Sequence, residues 1–197
     1  MKLIQKNLGT LFIIVGPSRV GKDSILRALL KRRSLGLKKL VTTTTRPRRP
    51  REIAGRTYHY LTEAEFVKKI KNNELLEWAP VRNYRFGTPK EPLMTWLSHG
   101  QNVIQQVDVR GATAMKKIKS LKTTTIFILP GSIKELKKRF DATTFTSAQR
   151  KIRWEETTSE LKRQTEFDYR VVNSEGKIDK TVKEVAQIIE AIILKNR

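Results

Sequence analysis

The chain contains no cysteine, which excludes a disulfide scaffold, a thiolate nucleophile and a cysteine-ligated zinc site. Histidine is nearly as scarce: His59 and His99 are the two present, and with no metal-ligand neighbours both read as surface or strand residues. Acidic residues are heavily outnumbered, 19 Asp and Glu against 41 Lys and Arg, for a formal charge of +22 at pH 7. Such an excess points to partners that carry negative charge, namely nucleic acid, nucleotide phosphates or anionic membranes. Long apolar runs are missing too. The run at 11–15 is interrupted by Gly16-Pro17, too short for a signal segment and far short of the roughly 20 residues that span a bilayer. These absences lead to the expectation of a soluble protein of the reducing cytoplasm with no membrane attachment.

What is present suffices for a folded domain. A length of 197 residues suits one ordinary domain with small insertions, and 38% hydrophobic residues in separated runs argue against charge-driven disorder. Short apolar runs alternate with amphipathic stretches, the pattern of an α/β fold with a central parallel sheet flanked by helices. Leu11, Phe12, Ile13, Ile14 and Val15 are apolar throughout, as expected of a central strand covered on both faces. Further strands are expected at 40–43, 102–107, 124–129 and 169–172, and helices at 23–33, 89–98, 111–119, 132–140 and 178–195. Two stretches break the alternation. Residues 45–90 combine an Arg/Pro-rich turn, strands around Tyr58 to Tyr60 and 75–81, and a helix opened by a Thr62/Glu65 capping box. Residues 141–152 hold few large apolar groups and suit a mobile lid ahead of a helix through Glu155 and Leu161.

The segment Gly16-Pro17-Ser18-Arg19-Val20-Gly21-Lys22 follows the first strand and precedes the first helix, where a phosphate-binding loop belongs. Glycines let the backbone wrap an anion, backbone N–H groups and the helix N-terminus point at phosphates, and Lys22 neutralises charge at the transferring end. Asp23 stands where Ser or Thr usually binds Mg²⁺, and Ser24 lies one place later, so either one is a candidate metal ligand. Arg19 replaces a glycine and adds charge close to the nucleotide.

Downstream come Thr42-Thr43-Thr44-Thr45-Arg46-Pro47-Arg48-Arg49, then Gly55 and Tyr58, Leu76-Glu77-Trp78-Ala79, Phe86-Gly87-Thr88, the run 107–112, and Val171-Val172-Asn173. With the loop, these motifs resemble the guanylate kinases, P-loop nucleoside monophosphate kinases, in order and spacing from about residue 10 to the C-terminus. The resemblance implies a P-loop NTPase fold over 1–197. Its core would comprise 1–44, 91–135 and 165–197, with an NMP-binding insertion at 45–90 and a lid at 136–164. It implies ATP and Mg²⁺ as cofactors, and GMP or dGMP as the phosphate acceptor. Arg46, Arg49 and Tyr58 would hold the acceptor's phosphate, a role suited to forked guanidiniums and a phenolic donor. Glu77 would read guanine by accepting from the ring N1–H and the 2-amino group, with Thr42, Thr88 and Asp108 completing the base pocket. Arg139 and Arg153 would close over ATP and steady the transferring phosphoryl group. No covalent nucleophile is needed, because phosphoryl transfer is mainly positioning and charge stabilisation.

The chain also departs from the family pattern. Phe86 replaces a Tyr, Gln106 replaces the first acid of an Asp-x-Asp strand end, and the lid segment 141–144 lacks an arginine expected just after Arg139. These changes bear on catalytic rate more than on substrate binding. A catalytically impaired guanylate-kinase-like binding protein is therefore one alternative. A ribose bisphosphate phosphokinase is another, since its loop is similar to Gly21-Lys22-Asp23-Ser24, although Leu76-Glu77-Trp78-Ala79 argues against that substrate. Arg19 to Arg51 hold 12 Lys and Arg against one acid, Asp23, so non-specific nucleic-acid association is expected to accompany any kinase activity.

Overall fold

A computed structural model describes residues 8–143 and 146–196. The strand β1 (Leu11–Val15) is buried along its whole length. It leads through the loop into α1 (Lys22–Lys31), then β2 (Leu37–Lys39), β3 (Thr43–Thr44), β4 (His59–Tyr60), α2 (Glu63–Lys71), β5 (Leu75–Val81), β6 (Tyr84–Pro89) and α3 (Lys90–Ser98). The remainder is β7 (Asn102–Gln106), α4 (Val109–Lys116), β8 (Thr123–Pro130), α5 (Ile133–Asp141), α6 (Ser147–Lys162), β9 (Tyr169–Asn173) and α7 (Ile178–Lys195).

Two sheets result. Five parallel strands take the order β2-β7-β1-β8-β9, which puts the most apolar strand at the centre. Ile13, Ile14, Ile104, Phe127 and Ile128 carry the core inside the sheet, and Ile25 and Leu29 of α1 and Val185 and Ile189 of α7 cover it. The chain order reverses between β7 and β8 on either side of β1, and a crevice opens at the carboxyl ends of strands at such a switch point. The second, mixed sheet has the order β4-β3-β6-β5, with β5 and β6 forming an antiparallel hairpin. The α/β architecture with a parallel sheet is the one expected.

Several expected boundaries move. The strand expected at 40–43 is two strands in two sheets. Leu37–Lys39 forms a half-exposed edge whose lysines mask the pattern, while Thr43 and Thr44 are buried against β6. Strand β6 was not expected, because its Gly87 and Pro89 weaken the sequence signal. Helix α4 starts at Val109 rather than 111, because the Asp108 carboxylate caps it by accepting from the Gly111 N–H at 2.7 Å. Helix α1 stops at Lys31, followed by a short 3-10 turn at Arg33–Leu35. The Thr62/Glu65 capping box is present as read. In the expected lid, Asp141 ends α5, and a second capping box of Thr146 and Gln149 opens α6; Thr144 lies outside the described residues. His59 is an exposed strand residue, and His99 is exposed at the end of α3.

Candidate active site

The phosphate loop wraps back on itself. Gly16 and Gly21 have φ of 140° and 105°, and a Cβ at either would collide, with the Ile128 carbonyl oxygen at 2.5 Å or the Asn173 amide at 2.4 Å. Arg19 also takes a left-handed conformation, φ 66°, at the place where glycine is usual. The Lys22 ammonium donates to the carbonyls of Gly16 (2.6 Å) and Pro17 (2.9 Å), which holds it inside the loop. Burial pulls its pKa down, opposed by the charges of Glu160, Asp23 and Asp108. Asn173 clamps the loop from behind: its amide donates to Val20 O at 2.8 Å, and its own oxygen accepts from Thr181 at 3.2 Å.

Strand β5 builds the other wall. Its register slips between Leu75 and Glu77, so two residues of β5 oppose one of β6 and Glu77 pairs with Thr88. Glu77, Ala79 and Val81 line the cleft, while Leu75 packs instead toward Phe66, beside Gly87. The buried Thr88 hydroxyl donates to Glu77 Oε1 at 2.7 Å. Across the cleft, Gly111 sits between the Glu77 and Asp108 carboxylates; a Cβ there would lie 3.3 Å from an oxygen of each. Burial pushes Glu77 up to about 7, and Asp108 adds to the rise against the Thr88 hydrogen bond. Glu160 of α6 is likewise pushed up to about 7 by burial, opposed by Lys22.

One cleft joins the loop to this wall. Of the residues singled out from sequence, Gly16, Ser18, Lys22, Thr42, Tyr58, Glu77 and Asp108 line it directly. Phe86 lines it too, edge-on to Tyr58 with ring centroids 5.8 Å apart, whereas Tyr84 is exposed and outside the lining. Pro17 and Val20 are buried in the loop backbone, with Arg19, Asp23 and Ser24 exposed at its rim and at the start of α1. Arg46 is buried beside Tyr58, its guanidinium 5.5 Å from the ring centre, but its Nη2 donates to both Glu52 carboxylate oxygens at 2.7 and 3.0 Å and its Nη1 to the Pro47 carbonyl at 2.8 Å. Tyr60 donates to the same carboxylate at 2.9 Å. The Arg49 side chain is exposed, and its backbone N–H donates to Glu52. Arg139 reaches the loop from behind, donating to Val20 O and Asn173 O at 3.4 Å each. Arg153 on α6 is half-buried, and its pKa is lowered by burial and then by the charges of Arg82 and Arg49, opposed by Glu156, with a smaller lowering from Arg19.

Four residues outside the candidate set complete the site. Glu52 holds Arg46. Arg82, in the β5–β6 turn, grips Glu156 of α6 at 2.6 and 2.9 Å and so ties the small sheet to that helix. Glu160 faces the cleft, and a signal was available, because Arg153, Thr157 and Glu160 are spaced to share one helix face. Asn173 was visible only as part of a motif.

The chemistry of the donors suits a divalent cation. Asp23 Oδ1 accepts from the Gln106 amide at 3.0 Å, and Gln106 Oε1 is a buried oxygen without a hydrogen-bond partner. Among the described residues no set of three His, Cys, Asp or Glu is clustered to hold a metal, so any ion here would complete its shell with phosphate oxygens or water. Among the described residues, too, no helix is long and apolar enough to cross a membrane.

The guanylate kinase family model matches residues 8–192. Guanylate kinase 2, chloroplastic/mitochondrial, of Oryza sativa subsp. japonica is 37% identical over 182 residues, 92% of this chain, which spans 64% of that longer protein. The guanylate kinase of Thermotoga maritima is 37% identical over 184 residues, covering 93% of this chain and 87% of the relative. The crystal structure of guanylate kinase from Anaplasma phagocytophilum superimposes with a TM-score of 0.78 at 25% identity, over 94% of this chain and 87% of that one. A phosphate loop facing a carboxylate-lined wall, together with a family match over nearly the whole chain, establishes that this protein belongs to the guanylate kinase family.

Proposed function

We propose that this chain transfers the terminal phosphoryl group of ATP to GMP, and to dGMP, by direct displacement. The observation that carries the reading is the pair of carboxylates, Glu77 and Asp108, in the same cleft as Lys22. Guanine offers N1–H and 2-amino donors to such acceptors; adenine lacks that donor pair and would leave a desolvated acceptor unpaired, which costs about 1–3 kcal/mol or more. Thr88 holds Glu77 from behind, and Thr42 and Tyr58 supply further polar groups around the acceptor.

Lys22 and the loop N–H groups take the ATP phosphates. Arg46 and Arg49 take the GMP phosphate, for which Arg46 has to share its fork with Glu52. Arg153 faces the same electropositive space as Arg82, Arg49 and Arg19, and with Arg139 it offsets charge on the transferring group. Residues 45–90 act as the acceptor-binding insertion and 136–164 as the lid on the remaining core. Mg²⁺ held by Asp23, with Ser24 nearby, would neutralise charge on the ATP phosphates. A cytoplasmic location, and association of the basic 19–51 surface with nucleic acid, belong to the same proposal.

A coupled assay with ATP, Mg²⁺ and each of GMP, dGMP, AMP, UMP, CMP and ribose bisphosphate tests the reading. Turnover confined to GMP and dGMP is expected. No turnover with any of them would favour the binding-protein alternative, and ribose bisphosphate as the sole acceptor would favour the phosphokinase.

A further inference from the structure

Two departures from the family pattern, read singly, each take something from the cation site. Asp23 stands where a hydroxyl is usual, and Gln106 stands where an acid is usual. The fold brings them together from 83 positions apart in sequence. Strand β7 lies beside β1 with Gln106 opposite Ile14, so Gln106 ends its strand next to the phosphate loop and reaches the first turn of α1. Its amide donates to Asp23 Oδ1 at 3.0 Å, and its own oxygen is buried and unpartnered. Among the described residues no Lys or Arg nitrogen forms a salt bridge with Asp23, and Gln106 is its one side-chain hydrogen-bond partner.

We propose that acid and neutral partner have exchanged places in this chain: Asp23 on α1 supplies the carboxylate for the divalent cation, and Gln106 on β7 is the positioning residue that orients it. This inference rests on the phosphoryl-transfer reading and refines its cation site. The exchange keeps one carboxylate at the junction. Two acids at this separation would repel and force one to hold a proton, and none would leave the phosphates without a hard charged oxygen beside them. An amide is the neutral group suited to the strand position. It donates to one carboxylate oxygen and leaves the other for the cation, and the unpaired Gln106 oxygen can accept from a cation-bound water. An unsatisfied buried acceptor is unfavourable in the empty protein, which argues for a ligand that completes it.

The test measures cation affinity without turnover. Mn²⁺ is titrated into the protein with ATP and no acceptor, bound ion is read by electron paramagnetic resonance, and ATP affinity in EDTA is measured alongside. Asp23→Asn keeps size and shape at an exposed helix start and should fold normally. It should weaken Mn²⁺ by about tenfold or more with little change in metal-free ATP binding. Gln106→Leu should weaken Mn²⁺ by about tenfold, because it removes both the donor that orients Asp23 and the buried acceptor beside it. The exchanged pair, Asp23→Ser with Gln106→Asp, should recover affinity to within a few-fold of the parent. Unchanged Mn²⁺ affinity in Asp23→Asn overturns the assignment of the carboxylate. Loss in Asp23→Asn without recovery in the exchanged pair overturns the exchange. Failure of the phosphoryl-transfer reading would show separately, as absence of ATP binding in EDTA or of GMP turnover in the unaltered protein.

Discussion

Acidification from pH 8 to pH 6 should raise the KM for GMP about tenfold, and Glu77→Gln should remove most of that dependence. Burial pushes the Glu77 carboxyl from 4.5 up to about 7. At pH 6 about nine-tenths of the empty sites would carry a proton there, and at pH 8 about one-tenth. Guanine needs the ionised form, because N1–H and the 2-amino group both donate. Binding therefore expels the proton, at a cost of about 1.4 kcal/mol for each pH step below 7. The acceptor's own phosphate titrates near pH 6 and contributes to both proteins equally, so the difference between their slopes isolates Glu77. Glu160 also sits at about 7 and needs its own control: Glu160→Gln should keep the parent slope. The assay is KM for GMP at saturating ATP from pH 6 to 8. A flat parent profile, or an equal slope in Glu77→Gln, would refute the base-reading role. The same substitution makes a stability prediction. A carboxyl whose folded value is raised binds more protons folded than unfolded between 4.5 and 7, so the empty protein loses stability as pH climbs through that window. Glu77→Gln still accepts from Thr88 and should melt later than the parent at pH 8, by up to about 3 kcal/mol, with the gap closing below pH 4.5.

Lys22→Ala should lower turnover by orders of magnitude while the circular dichroism spectrum and melting temperature stay near the parent's; near-parent turnover would remove the loop lysine from the mechanism. Asn173→Ala leaves Val20 O with only the longer bond from Arg139 and opens space behind Gly21, so ATP affinity should fall about tenfold while the KM for GMP changes little, measured by paired titrations. Phe86→Tyr restores a phenolic donor in the cleft and should lower the KM for GMP; an unchanged value would mean that Phe86 only packs on Tyr58. Retention of single- or double-stranded nucleic acid should weaken steeply between 50 and 200 mM salt, and no retention even at low salt would dismiss that association.

What could be read from sequence follows from how local each signal is. Strand β1 was plain because five consecutive apolar residues need both faces covered, and the Thr62/Glu65 cap was plain because its two hydrogen bonds span three residues. Lys22, Glu77, Tyr58 and Asp108 were found through motif order, and all four line one cleft. Strand β2 escapes the sequence pattern because an edge strand needs only one covered face, and Lys38 and Lys39 hide it. The closure of Arg46 on Glu52 depends on how the 46–52 turn folds back, which composition does not encode. The contact between Asp23 and Gln106 exists only because β7 lies beside β1, so along the chain the two residues looked like unrelated losses.

The slip in β5 between Leu75 and Glu77 has a further consequence. Side chains alternate along a strand, so one extra residue decides which face every following side chain takes. Here it allows Leu75 to join Phe66 beneath the small sheet while Glu77, Ala79 and Val81 turn to the cleft. On the proposed reading of Glu77, base selectivity is thus a matter of phase as well as of residue identity. A one-codon deletion at Leu76 would remove the extra residue and leave Glu77 opposite Thr88 on the cleft face, whereas deleting Trp78 with that pairing kept would turn Ala79 and Val81 to the other face although every pocket residue is still encoded and in order.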